Sequence, residues 1–184
     1  MSHVMCSLPG KGGTDPDERS WESLSANPHD RLRILRQYRS VAMVGLSPNP
    51  LRPSHFVAIY LANRGYDIIP VNPGAKEILG RKCFPALSDV DRPIEIVDIF
   101  RSTEYVPEIV EESISVGAKA VWMQFGVIHE PAARRALAAG LAVVIDRCMK
   151  VEHARFFGGM SPMGLNSNVV SARSWDPSDG KHGL

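Results

Sequence analysis

Between the apolar run Val41-Ala42-Met43-Val44 and a helix-like stretch carrying Val57, Tyr60 and Leu61, the chain reads Gly45-Leu46-Ser47-Pro48-Asn49-Pro50-Leu51-Arg52-Pro53-Ser54. These residue types suit an anion. Gly45 permits a tight turn or a close backbone approach. Ser47 and Ser54 can donate hydroxyls, and Arg52 supplies a fixed positive charge. A helix starting near Ser54 presents unpaired N–H groups at the positive end of its dipole. The chemistry this allows is the binding of a phosphate or pyrophosphate, against the plain alternative of a rigid connecting loop. The spacing is not G-x-G-x-x-G, because only Gly45 is present and three prolines stiffen the rest. Nor is it a Walker loop, since no Gly-Lys-Ser/Thr occurs.

The elements that must position this loop follow from short apolar runs. They are Val41–Val44, Asp67–Val71, Ile94–Ile99, Ala120–Met123 and Ala142–Ile145, mostly β-branched. Several are too uniformly apolar to have a wet face, which predicts strands of a parallel sheet buried on both sides. Helices are predicted between them. Ser54 is placed as the cap of one, and Thr103 as the cap of another carrying Val106, Ile109, Val110 and Ile114. Pro131 opens a third, and Gly65, Gly117 and Gly140 stand where C-caps precede the next strand. An earlier helix, signalled by Asn27-Pro28-His29-Asp30, runs to about Gln37. Arg81-Lys82-Cys83-Phe84 reads as a short edge strand and residues 86–90 as a helical turn. Alternating strands and helices predict an α/β fold: a Rossmann-like, doubly wound, mainly parallel sheet of five or six strands with helices on both faces. It spans about 27–157. Residues 1–26 read as a flexible lead, and 158–184 as an arm or tail with Val169-Val170 its one hint of extended structure.

In such a sheet the ligand crevice lies at the carboxyl ends of the strands. Besides the first loop, the residues there are Asn72-Pro73-Gly74, Phe100-Arg101-Ser102, Gln124-Phe125-Gly126 and Asp146-Arg147-Cys148. A site for plain NAD calls for Asp or Glu after the second strand. This chain has Asn72-Pro73 instead, and Asp67 lies at the wrong end. Lys76 and Arg81 follow, which suits a ligand with a phosphate on its ribose; coenzyme A and NADP both qualify.

Composition narrows the class. With 184 residues, 21 Lys and Arg against 20 Asp and Glu, and a net charge of +1, the chain is no strongly basic nucleic-acid binder. No apolar run approaches the roughly 18 to 20 residues of a membrane span. The polar N-terminus lacks the apolar centre of a secretory signal. Cys6, Cys83 and Cys148 have no metal-ligand spacing, and the six histidines form no cluster, so no metal site is expected. The expectation is a cytoplasmic protein with reduced thiols.

Five separated stretches carry a more specific likeness. Val44–Ser54, Ile69-Pro70-Val71-Asn72-Pro73, Val97-Asp98-Ile99-Phe100-Arg101, Trp122-Met123-Gln124-Phe125-Gly126 and Asp146–His153 follow in the order seen in the small stand-alone CoA-binding proteins, the YccU-like family. The chain resembles that family over about 38–157, and the family is similar to the CoA-binding domain of the succinyl-CoA synthetase α chain. The resemblance implies a coenzyme A or acyl-CoA ligand. It implies that Gly45, Ser47, Arg52 and Ser54, with Asn49 in the same loop, hold the pyrophosphate. It places Asn72 and Pro73 at the adenosine and Lys76 near the 3′-phosphate. Phe100 and Arg101 would border the nucleotide or pantetheine arm, and Gln124 and Gly126 the far wall. The related synthetases use a phosphorylated histidine on a separate domain plus an ATP-grasp unit. Neither fits in this length, and no nucleophile with an activating partner is recognisable here, so no catalytic residues are named and binding without catalysis is expected.

Plainer readings stand beside these. Arg101 could be a surface salt-bridge partner, and Asp146-Arg147 an internal ion pair. Cys148 reads as a small buried hydrophobe, with a mixed disulfide to the CoA thiol as the alternative. His55 reads as a solvated first-turn residue, and Lys150, Glu152 and His153 as decoration of a last helical turn. Trp122 belongs in the core. At the level of function the alternatives are an NADP-binding oxidoreductase or redox-sensing domain, and an interaction module acting through the C-terminal arm. A homodimer is compatible with either.

Overall fold

Strands whose residues are apolar on both sides of the pleat have no face to give to water, and this dictates a sheet sandwiched between two helical layers. The computed structural model describes residues 21–158. Its main sheet contains β1 (Ser40–Val44), β2 (Asp67–Val71), β5 (Ile96–Ile99), β6 (Ala120–Met123) and β7 (Ala142–Val144), all parallel, in the order β2-β1-β5-β6-β7. Every residue of β5 and β6 is buried. The doubly wound, Rossmann-like fold is therefore confirmed, with five strands in the main sheet. The segment expected as an edge strand forms instead a two-stranded antiparallel hairpin, β3 (Glu77–Ile78) with β4 (Arg81–Lys82). Phe84 then joins the sheet edge through a single parallel bridge to Val71.

Side-chain alternation assigns the two faces. Val41, Met43, Ile68, Ile96 and Trp122 point to one core, closed by α2 (Pro28–Gln37), α3 (Pro53–Ala62) and α6 (Met149–Phe157). Ala42, Ile69, Val97, Ile99, Val121 and Met123 point to the other, closed by α4 (Val106–Ser115) and α5 (Glu130–Ala138). The start of α2 is as expected: the Asn27 side chain accepts the Asp30 N–H at 3.0 Å and Pro28 opens the helix. Gly65, Gly117 and Gly140 all take positive φ before the next strand. Two other caps differ. Pro53, not Ser54, begins α3, so Arg52 holds the cap position without a side-chain bond. Thr103 begins a short 3-10 turn, and α4 starts only at Val106.

The stretch read as a flexible lead is structured in its last part. Trp21–Leu24 forms α1, whose two apolar side chains pack on the α4–α5 core. The Ala26 N–H donates to the Val143 carbonyl at 2.7 Å, and the Ile145 N–H donates to the Ser25 hydroxyl at 2.9 Å. Residues 1–20 and the arm expected beyond Gly158, with its Val169-Val170, lie outside the described residues.

Helix α6 also departs from expectation. Glu152 is 1% exposed and His153 6%. Arg31 of α2 donates to Glu152 at 2.7 Å and Arg155 sits on its other oxygen at 2.9 Å. Breaking such a buried pair costs about 3–5 kcal/mol, because it strands a charge. His153 packs edge-on against Tyr60 and Tyr66 at 5.5 Å. Burial, aided by the charges of Arg64 and Arg39, holds its pKa below the usual histidine range. These residues bolt α6 to α2 and α3. No helix among the described residues is long and apolar enough to cross a membrane.

Candidate functional site

The chain runs from β1 through α3 to β2, then returns past β1 to β5, so strand order reverses between β1 and β5. Ligand crevices of open α/β sheets form at that point, outside the carboxyl ends of the strands. Here it is built around Gly45. Its φ of +87° and its N–H bond to Val71 O at 2.9 Å turn the chain sharply at the end of β1. A Cβ at this position would lie 2.6 Å from Phe100 O. The first loop therefore presses against the end of β5, with only a hydrogen atom to spare. Beside it opens a cleft of about 290 Å³ whose lining includes Gly45, Val71, Pro73, Arg101, Tyr105, Glu108 and Glu112; Ser47, Asn49, Arg52, Ser54 and Asn72 are not part of that lining.

Polar side chains pin the loop to its neighbours. Asn72 Nδ2 donates to Leu46 O at 2.9 Å, and Asn72 Oδ1 accepts the Gly74 N–H at 2.8 Å. The Cys83 thiol donates to Asn72 O at 3.5 Å. Ser54 Oγ accepts the Ser47 N–H at 3.1 Å, and Ser47 Oγ accepts the Asn49 N–H at 3.1 Å. Asn49 Oδ1 in turn accepts the Leu51 N–H at 2.9 Å. Each serine hydroxyl thus uses a lone pair on backbone and retains its hydrogen for a further acceptor. The Ser54 N–H, in the first turn of α3, has no intrahelical acceptor. Arg52 is exposed and has no carboxylate partner among the described residues. Arg101 likewise makes no salt bridge; its guanidinium lies over the Tyr105 ring at 4.4 Å. Ser54 is 4% exposed, so what the loop turns outward is the half-buried Ser47 hydroxyl and the exposed Arg52 guanidinium, rather than a nest of free loop amides, and Arg101 is exposed after the end of β5.

The remaining sequence-predicted residues are distributed differently. Lys76 is exposed at the start of the β3–β4 segment, outside the cleft lining. Phe100 lies half-buried against the core under α3. Gln124 is 4% exposed, and its amide nitrogen is 2.8 and 3.0 Å from the two oxygens of Asp98. The Gly126 N–H donates to Asp146 Oδ1 at 2.8 Å. Asp146 and Arg147 form no ion pair: Arg147 donates to the Asp146 backbone carbonyl instead. Trp122 is buried in the core, and its Nε1 donates to Arg147 O at 2.6 Å. Cys148 is half-buried, and burial pushes its thiol pKa up. A protonated thiol is a poor nucleophile.

Four residues escaped the sequence reading. Tyr105, at the end of the 3-10 turn, and Glu108, in the first turn of α4, line the cleft. Asp98 was visible as an acid inside an apolar strand. Its full burial raises its pKa to about 8, although the Gln124 amide favours the anion. His55 is the fourth: it is buried, and its Nδ1 lies 2.9 Å from Ser47 O.

The stretch 39–154 matches the family model described as CoA binding domain. The chain belongs to the CoA-binding domain family. Among curated proteins it is 41% identical over 121 residues to the uncharacterized protein YneT of Bacillus subtilis, covering 66% of this chain and 90% of YneT. It is 33% identical to an ADP-forming acetate–CoA ligase II of Archaeoglobus fulgidus, over 54% of this chain but only 15% of that enzyme. A solved hypothetical protein from Pyrococcus horikoshii superposes with a TM-score of 0.69 at 39% identity, covering 79% of this chain and 98% of that one. The match to the ligase is confined to a domain-sized part of that enzyme, and YneT is matched nearly end to end.

Proposed function

We propose that this CoA-binding-domain protein holds coenzyme A or an acyl-CoA in the crevice around Gly45, and that it acts by binding rather than by catalysing a reaction of its own. The observation that carries this is the coincidence of two independent results. The stretch that matches the family model contains every residue of the switch-point cleft, and the loop that turns at Gly45, where it meets the cleft, carries hydroxyl and guanidinium donors of the kind a pyrophosphate needs. In this reading Ser47, Arg52 and Ser54 hold the pyrophosphate, with Gly45 and Asn49 shaping the loop. Asn72 and Pro73 form the adenosine wall, and Lys76 reaches the 3′-phosphate. Phe100 and Arg101 border the nucleotide or the pantetheine arm; Gln124 and Gly126, whose polar groups bond within the protein, form the far wall by contact alone.

The charge balance supports the choice. Coenzyme A carries about four negative charges, and charge-assisted hydrogen bonds contribute roughly 1.5–3 kcal/mol each. Less the several kcal/mol lost on association, a few such bonds give micromolar affinity. Calorimetric titration with CoA, dephospho-CoA and NADPH tests the reading. Micromolar binding of CoA, weakened without the 3′-phosphate and stronger than that of NADPH, is the expected result. A clear NADPH isotherm without heat from CoA would replace it with the oxidoreductase reading.

A further inference from the structure

His55 is the third residue of α3, at a position where a histidine ordinarily meets solvent, yet it is 8% exposed. Its Nδ1 stands 2.9 Å from the Ser47 carbonyl oxygen. A carbonyl only accepts, so Nδ1 carries the hydrogen and donates it. On the other side of the same residue, the Ser47 N–H donates to Ser54 Oγ. Both backbone polar atoms of Ser47 are thus held by adjacent side chains in the first turn of α3. The effect travels further along the loop, because Ser47 Oγ accepts the Asn49 N–H, and Asn49 O accepts the Arg52 N–H at 3.1 Å. Pro48 and Pro50 have no N–H with which to fix their own orientation. The loop's shape accordingly depends on what holds Ser47.

We infer that His55 is a positioning residue for the anion site: its hydrogen bond to the Ser47 carbonyl keeps the Gly45–Arg52 loop in its binding shape before any ligand arrives. This rests on the coenzyme A reading of that loop. A loop already in place loses less conformational freedom on binding, so removing the bond lowers affinity without removing any ligand contact.

The test uses the full chain and two substitutions. His55→Phe keeps the ring's bulk and loses the donor, whereas His55→Asn offers an amide N–H near the position of Nδ1. Titration with CoA is paired with amide hydrogen exchange over residues 45–52 in the absence of ligand. H55F weakens CoA binding by about fivefold to tenfold and speeds loop exchange, while H55N stays within about twofold of wild type in both. Wild-type affinity and exchange in H55F would overturn the inference, and so would an H55N as impaired as H55F, since both assign His55 to packing alone. Should H55F not fold, His55→Leu takes its place. If wild-type protein binds no CoA, the functional reading fails, and exchange alone decides His55: fast in H55F and restored in H55N upholds it, unchanged in H55F overturns it.

Discussion

Polar residues at the carboxyl ends of β1, β2 and β5 bond to backbone and leave the Ser47 hydroxyl hydrogen, two guanidinium groups without a carboxylate partner among the described residues, and a cleft. At the ends of β5, β6 and β7 they bond to each other or fold back on the chain: Gln124 on Asp98, Asp146 on the Gly126 N–H, Arg147 on the Asp146 carbonyl. Both regions stand at strand ends of one parallel sheet, and position alone does not distinguish them. The distinction comes from where each polar atom finds its partner. Groups already satisfied internally stabilise the sheet, while groups with a donor to spare remain available to a ligand.

The largest effect is expected at Gly45. In Gly45→Ala the new methyl meets the Phe100 carbonyl, a backbone atom that cannot move aside, and the residue must hold a left-handed φ. We expect loss of CoA binding together with about 2–4 kcal/mol of stability, read by titration and by urea unfolding. An alanine variant that binds and unfolds like wild type would mean that the loop does not depend on this close approach.

Arg52→Ala isolates the ligand-facing character of the first region. The exposed guanidinium has no carboxylate partner among the described residues, so its removal should weaken CoA binding by about tenfold or more and leave the melting temperature within about 2 °C. Loss of stability with unchanged affinity would reverse the assignment.

Asp98 examines the second region through pH. Its folded pKa of about 8 lies above the ordinary carboxylate value of 3.8. A raised folded pKa gives stability that is complete below the unfolded value and is lost as pH rises through the folded one. Wild-type stability should therefore fall between about pH 4 and pH 8, and Asp98→Asn should remove the part of that slope due to this carboxyl. Parallel stability curves for the two proteins would show that Asp98 does not hold its proton in the folded state.

Local signals were legible in the sequence. Asn27-Pro28 set the start of α2, the apolar runs marked the five main strands, and the loop after β1 stood out by its residue types. What could not be read were bonds between segments far apart in the chain. Arg31 meets Glu152 across 121 positions, so a carboxylate and a histidine that look like surface decoration on α6 are part of the interior. Ser54 reads as a ligand contact because its type suits an anion, and Asn72 because the family resemblance implies it at the adenosine. Which side-chain atoms remain free was not readable, since that depends on Leu46, Ser47 and Gly74 arriving beside them. His55 escaped for the same reason. The close approach that leaves no room for a Cβ at Gly45 is made by Phe100 just after β5, more than fifty residues later.

The most direct measurement of the central claim is amide chemical-shift mapping of the labelled protein titrated with coenzyme A. The largest saturable perturbations are expected on residues 45–54, 72–76 and 100–108, the segments that follow β1, β2 and β5 at the switch point. Saturation by CoA with those segments unperturbed, and the changes gathered elsewhere on the protein, would contradict the claim.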